Sequence, residues 1–197
     1  MIKKIAIIFL DIKKYNTLKN KYSRKYNVFK NTFKNIKDVK IYNYNWNDKN
    51  LIKKLKKINP NGIILSGSKC NLFGKCSTLP KKIYKLKIPI LGLCQGFHRL
   101  IYDFSNENKK YFGNFSKNKI YTKTFTIKTP FKYPKHKFYI EHKTYIKKLP
   151  KGWKKLISTK KIIYMAYNKK QKIIGIQFHP EMLKNTRSFF INWLEFI

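Results

Sequence analysis

Two short stretches of this chain, far apart in sequence, hold residue types that can do chemistry together. The first, Ile88-Pro89-Ile90-Leu91-Gly92-Leu93-Cys94-Gln95-Gly96-Phe97-His98, carries an apolar run into a cysteine with glycine two residues to either side. The second, Ile173-Ile174-Gly175-Ile176-Gln177-Phe178-His179-Pro180-Glu181, ends another apolar run in a histidine with a carboxylate two residues on. A thiol, an imidazole and a carboxylate, each at a predicted strand end, are the parts of a nucleophilic triad. The first stretch has the pattern of a nucleophile elbow, a strand turning sharply into a helix with the nucleophile at the strained turn. Gly92 and Gly96 leave room for that turn, because a Cβ at either place would crowd it. The helix N-terminus then directs free N–H groups and a positive dipole end at Cys94, favouring thiolate over thiol. The N–H of Gln95 faces the oxyanion of a tetrahedral intermediate. A thiolate so placed attacks an amide carbon and forms a thioester. His179 protonates the leaving amine and then activates water, while Glu181 holds the imidazole tautomer.

In these segments and others the chain resembles the class I glutamine amidotransferases, over nearly its whole length and in the family's order. Asn61-Gly62-Ile63-Ile64-Leu65-Ser66-Gly67-Ser68 resembles the family's strand and oxyanion loop, G-[IV]-[IV]-L-S-G-G-P. Cys94 lies in the elbow, and Glu141-His142-Lys143 resembles the Ser/Asn-His-Gly segment. Leu149-Pro150-Lys151-Gly152-Trp153 resembles L-P-x-G-[FW], and Gly175–Glu181 is nearly the highly specific G-[VI]-Q-F-H-P-E. The resemblance implies a glutaminase with Cys94 as nucleophile, His179 as general base and Glu181 orienting it. It places Gly67, Ser68 and Gln95, with His98, His142, Lys143 and Thr144, around the oxyanion and substrate. No cofactor and no metal are implied. The chain departs from the pattern at Ser68 and Lys69, where the family has Gly-Pro, at Lys143, where it often has Gly, and at His98, where it has Gln. One helical turn puts His98 on the face of Cys94. An imidazole there predicts substrate binding that weakens as pH rises through the neutral range.

The elements that must position these groups follow from hydrophobic periodicity. Strands are predicted at Lys3–Leu10, Val39–Tyr42, Gly62–Ser66 and Pro89–Gly92, and helices at Tyr22–Ile36, Asp48–Ile58, Gln95–Phe104 and Lys184–Phe196. Asp48 is the expected N-cap and Pro60-Asn61-Gly62 the stop. This alternation predicts an α/β fold with a mostly parallel central sheet and helices on both faces. From Tyr111 to Gln177 short strands follow at Lys119–Lys128, Lys137–Glu141, Ile162–Asn168 and Lys172–Gln177, a small antiparallel region in the C-terminal half, with a hairpin loop over Asn168–Gln171. The site then falls at the C-terminal edge of the sheet, where such folds bind ligands.

At 197 residues the chain suits one domain, 1–197, with a substantial core. No run is long enough to span a bilayer. Ile5–Leu10 is too short for a secretion signal, and the odd cysteine count fits a reducing cytoplasm. Cys70 and Cys76 lack a second ligand pair for zinc and read as ordinary loop cysteines. The formal net charge is +38. Only Arg24, Arg99 and Arg187 are arginines; the remaining positive charge is lysine, spread along the chain in a composition rich in Asn, Ile and Tyr. That distribution predicts non-specific, salt-dependent nucleic-acid binding only. The expected function is hydrolysis of L-glutamine to glutamate, with ammonia supplied to a separate synthetase. A γ-glutamyl hydrolase or peptidase, suggested by His98, and a catalytically weak binding module, suggested by Ser68 and Lys143, are the alternatives.

Overall fold

A computed structural model describes residues 1–10, 27–34, 36–69, 72–73 and 78–197. Residues 22–26 and 35 of the first predicted helix, and both Cys70 and Cys76, lie outside the described residues. Strands β1 (Lys3–Phe9), β2 (Val39–Asn45), β3 (Gly62–Leu65), β4 (Ile90–Leu93), β7 (Lys154–Ser158), β8 (Ile163–Asn168) and β9 (Ile173–Ile176) form one sheet in the order β2-β1-β3-β4-β9-β8-β7. The five strands from β2 to β9 pair in parallel. β8 and β7 extend that sheet antiparallel.

The alternation of side chains along β1 shows why the sheet is covered twice. Ile5, Ile7 and Phe9 join one buried cluster, with Phe29 and Phe33 of the helical residues 27–33 (α1) and with Phe189, Phe190 and Trp193 of α4 (Phe189–Phe196). Ala6, Ile8 and Leu10 join the opposite cluster, with Leu51 and Leu55 of α2 (Leu51–Ile58) and Leu100 of α3 (Gln95–Phe104). Such strands are apolar throughout because both faces are buried. Helices therefore lie on both faces, as the periodicity predicts. The helix α2 starts at Leu51, three residues later than predicted, with Asn50 rather than Asp48 at its N-cap; the Asp48 carboxylate accepts the Asn50 N–H at 2.9 Å just upstream. It ends at the predicted stop, where Asn59 is left-handed at φ 44°. The last predicted helix is broken: a 3₁₀ turn over Lys184–Thr186 precedes α4, because the Thr186 hydroxyl turns back to the carbonyls of Pro180 and Leu183.

A separate two-stranded sheet pairs β5 (Phe112–Ile127) with β6 (Tyr133–Ile146), both far longer than the strands predicted there. Their polar, lysine-rich residues hide the period-two signal, and a register shift between Asn114 and Lys119 breaks it again. The strand β7, which was not predicted, is an exposed edge for the same reason. The hairpin between β8 and β9 is the predicted one, held by the Asn168 side chain accepting the Gln171 N–H at 3.2 Å. No helix among the described residues is long and apolar enough to cross a membrane.

Candidate active site

Three parallel neighbours, β3, β4 and β9, end side by side, and the predicted site residues leave from those ends. Cys94 follows β4 directly and caps α3 with φ 49° and ψ −102°. For a residue with a Cβ that is a strained conformation, costing about 1–3 kcal/mol. It persists because both sides of the turn are clamped. The Cys94 N–H donates to the Ile176 carbonyl at 2.7 Å, and the His98 N–H donates to the Cys94 carbonyl at 3.0 Å, closing the first turn of α3. The N–H groups of Gln95, Gly96 and Phe97 precede that bond, so none has a partner within the helix.

Past β9 the chain bends at Gln177 and Phe178, and His179 makes an isolated antiparallel bridge with Tyr139 of β6. Its N–H donates to the Tyr139 carbonyl at 2.9 Å, which fixes the backbone. The imidazole Nδ1 lies 2.8 Å from Glu181 Oε1, leaving Nε2 for the sulfur, and the side chain hydrogen bonds to Cys94. Burial by itself would strip the proton from His179. The carboxylate of Glu181 and the sulfur of Cys94 outweigh it, and the imidazole pKa stands well above its ordinary 6.5. Glu181 is itself buried. The loop at Gly67 closes on the same point: a Cβ built on Gly67 would lie 2.9 Å from His179 Cε1 and 3.7 Å from Cys94 Cβ. Only glycine lets the backbone approach that closely. The neighbouring Ser68 keeps a negative φ, so a Cβ there is no obstacle to offering its N–H.

The structure brings His142 to the site's edge and turns Lys143 and Thr144 elsewhere. His142 is buried, with Nδ1 3.2 Å from the Thr144 carbonyl and Nε2 3.1 Å from the Tyr121 hydroxyl. Burial lowers its pKa, so the ring is neutral. The Thr144 hydroxyl donates to Asn114 at 2.8 Å, and Lys143 is exposed. The neighbouring Glu141 carbonyl, 3.4 Å from Cys94 Sγ, is the part of this segment that touches the sulfur.

His98 sits on the Cys94 face of α3 as the i+4 spacing predicts, but beneath the sulfur rather than in an open pocket. It is 2% exposed. Its Nδ1 lies 3.2 Å from Gln95 Oε1 and its Nε2 2.7 Å from Gln177 Oε1. Burial pulls its pKa down from 6.5 to about 4, with His142 and His179 pushing the same way against the Gln177 hydrogen bond. The expected weakening of substrate binding through neutral pH is therefore corrected: this ring stays neutral there. The consequence is for stability. The unfolded chain takes up a proton near pH 6.5 and the folded one only near 4, so folding stability rises with pH across that window. His98 is expected to cost no stability above about pH 6.5 and roughly 3 kcal/mol below about pH 4. Urea unfolding of wild type and His98→Gln between pH 4 and 7 checks this, since their difference isolates His98 from His142 and His179. Parallel stability curves would refute it.

Sequence reasoning missed Gln177. It is fully buried, accepts from His98, and its amide nitrogen donates to Cys94 Sγ at 3.4 Å. Strand alternation could not have found it, because the chain bends at Gln177 and Phe178 just past β9 and the period of two no longer fixes which way a side chain faces.

Over residues 17–193 the sequence matches the family described as glutamine amidotransferase class-I. It is 36% identical over 137 residues to the glutamine-hydrolysing GMP synthase of Borreliella burgdorferi (strain N40), covering 66% of this chain and 26% of that enzyme. To the glutamine-hydrolysing GMP synthase of Malacoplasma penetrans (strain HF-2) it is 33% identical over 159 residues, covering 77% of this chain and 30% of the enzyme. The chain thus spans between a quarter and a third of the length of these relatives. A solved structure of the Trypanosoma brucei CTPS glutaminase domain with bound acivicin shares the fold, with a TM-score of 0.67 at 13% identity over 98% of this chain and 92% of that one.

Proposed function

This chain belongs to the class I glutamine amidotransferase family, enzymes acting on the side-chain amide of glutamine, and we propose that it hydrolyses L-glutamine on Cys94 and passes the ammonia to a separate synthetase. The observation that supports this reading most directly is the strained Cys94 at the N-terminus of α3, facing a His179 whose other nitrogen is held 2.8 Å from Glu181. In the proposed reaction Cys94 Sγ adds to the side-chain amide carbon. The oxyanion forms against the N–H of Gln95 and the Gly67–Ser68 loop. His179 gives its proton to the departing nitrogen, the C–N bond breaks, and ammonia leaves a glutamyl thioester. A water loses its proton to His179 and attacks that thioester, regenerating the thiolate and releasing glutamate. Glu181 stabilises the imidazolium at both steps and keeps Nε2 turned to the sulfur.

The sequence feature that raised a γ-glutamyl hydrolase was His98. Buried beneath Cys94 with both nitrogens engaged, it offers no group to a γ-glutamyl substrate and does not favour that reading. The test is ammonia release from L-glutamine compared with hydrolysis of a γ-glutamyl dipeptide. A kcat/KM at least tenfold higher for glutamine is expected, and the reverse preference would overturn the reading. Co-purification of a synthetase with no glutaminase of its own tests the partner.

A further inference from the structure

The hydrogen bonds beneath Cys94 are inconsistent unless one side-chain amide is reversed, and the choice of amide decides what the sulfur meets. As they stand, His98 Nδ1 faces an amide oxygen of Gln95 and His98 Nε2 an amide oxygen of Gln177. Two carbonyl oxygens need two N–H donors, that is, an imidazolium. Full burial, which pulls the ring pKa down to about 4, rules that out at neutral pH. With a neutral ring, one contact must be made by an amide nitrogen instead. The Gln177 contact is the shorter, 2.7 Å against 3.2 Å. Gln95 Nε2, meanwhile, is buried with no partner, and a half-turn of the Gln95 amide puts it on His98 Nδ1. The other arrangement, reversing Gln177, would leave that donor orphaned and turn a carbonyl oxygen towards the sulfur.

We infer that Gln95, His98 and Gln177 form a one-way chain of donors ending on Cys94, in which Gln177 is a catalytic residue that stabilises the thiolate and His98, through its Nε2–H tautomer, is the positioning residue that keeps the Gln177 N–H aimed at the sulfur. Each link donates to the next: Gln95 Nε2 to His98 Nδ1, His98 Nε2 to Gln177 Oε1, Gln177 Nε2 to Cys94 Sγ. Aligned hydrogen bonds in a buried chain polarise one another, and a bond to an anionic acceptor is the stronger kind. The other groups facing the sulfur are the Glu141 carbonyl from β6 and His179, with Glu181 behind it, from the segment after β9; His142 of β6 contacts Gln177 and keeps its Nε2 on the Tyr121 hydroxyl. The Glu141 carbonyl, at 3.4 Å, can bond only the protonated thiol, so the Gln177 N–H and His179 carry the stabilisation of the anion. This explains how a histidine stands where the family has glutamine: a neutral imidazole has one donor and one acceptor, as this chain requires.

The inference rests on Cys94 being the nucleophile, but its test does not need glutamine turnover. The rate of iodoacetamide alkylation at Cys94, followed by peptide mass spectrometry from pH 5 to 10, reports the thiolate fraction. Gln177→Leu and His98→Leu are each expected to move the alkylation midpoint up by about one pH unit, roughly tenfold less thiolate at lower pH. His98→Gln, which can also accept and donate, should stay near the wild-type profile. Midpoints unchanged in both leucine variants would overturn the chain. Should those variants fail to fold, the ¹⁵N signals of the His98 ring in the wild-type protein decide: a protonated Nε2 and bare Nδ1 at neutral pH are expected, and the opposite tautomer overturns the proposal. A wild-type protein with the expected tautomer and profiles that releases no ammonia from glutamine would instead refute the glutaminase reading alone.

Discussion

Cys94→Ala is expected to lower kcat for ammonia release from glutamine by roughly 10⁴-fold or more, while the protein stays folded. Without Sγ no thioester forms, and His179 and Glu181 have only water to work on. The structural cost is small by comparison. Sγ bonds the Glu141 carbonyl and the Gln177 amide, both at 3.4 Å, and the His179 side chain; losing it leaves those partners short, a matter of about 1–3 kcal/mol. The strained φ of 49° stays, because alanine keeps the Cβ. Cys94→Gly would relieve it and offset that loss by about 1 kcal/mol while being equally inactive. Steady-state ammonia release and urea unfolding on the same preparations separate the two effects. Turnover within tenfold of wild type in the alanine variant would show that another group is the nucleophile. A glutamine-like electrophile should label the wild-type chain at Cys94 and leave the variant unlabelled.

Gly96→Ala is expected to damage fold and activity together. A Cβ at this position would lie 2.4 Å from the Leu65 carbonyl oxygen and 2.9 Å from its carbonyl carbon. Those are backbone atoms of β3, a strand held between β1 and β4, so no side chain can swing aside. Relief requires α3 to lift from the sheet, at a cost of about 3 kcal/mol or more for overpacking a closed contact. The same movement carries Cys94 away from Gly67 and His179. Chemical denaturation should show the loss, and Cys94 alkylation at neutral pH should slow with it. Gly152→Ala is the contrast: its φ of 85° makes any side chain strained, but the nearest atom to its Cβ is Asn168 Nδ2 at 3.8 Å. About 1 kcal/mol and unchanged chemistry are expected there. If both glycine variants lose equally, crowding at the elbow is not what Gly96 prevents.

The segments buried on both faces were legible in the residues. β1, β3, β4 and β9 read as apolar runs because both faces of the sheet are covered, and the elbow and the His-x-Glu element were visible because each follows directly on such a run. Where the chain is half-exposed the signal fades. β5 and β6 extend well past their predicted ends, since lysine and asparagine on an exposed ribbon carry no period-two contrast. β7 went unseen for the same reason, and the last helix began too early because a threonine hydroxyl bonding back to Pro180 leaves no mark on the hydrophobic pattern.

What the sequence alone determined is which groups exist at the ends of adjacent parallel strands: a thiol with glycines beside it, and an imidazole two residues from a carboxylate. Covalent order and hydrophobic period suffice for that, because both are local. What only the tertiary structure decided is the state of those groups. His98 and His179 are both histidines near the same sulfur, yet burial without a charge partner lowers one pKa to about 4, while burial beside Glu181 and Cys94 raises the other well above 6.5. Protonation depends on desolvation and on charges brought in from three separate elements, and these are set by packing that no stretch of sequence contains.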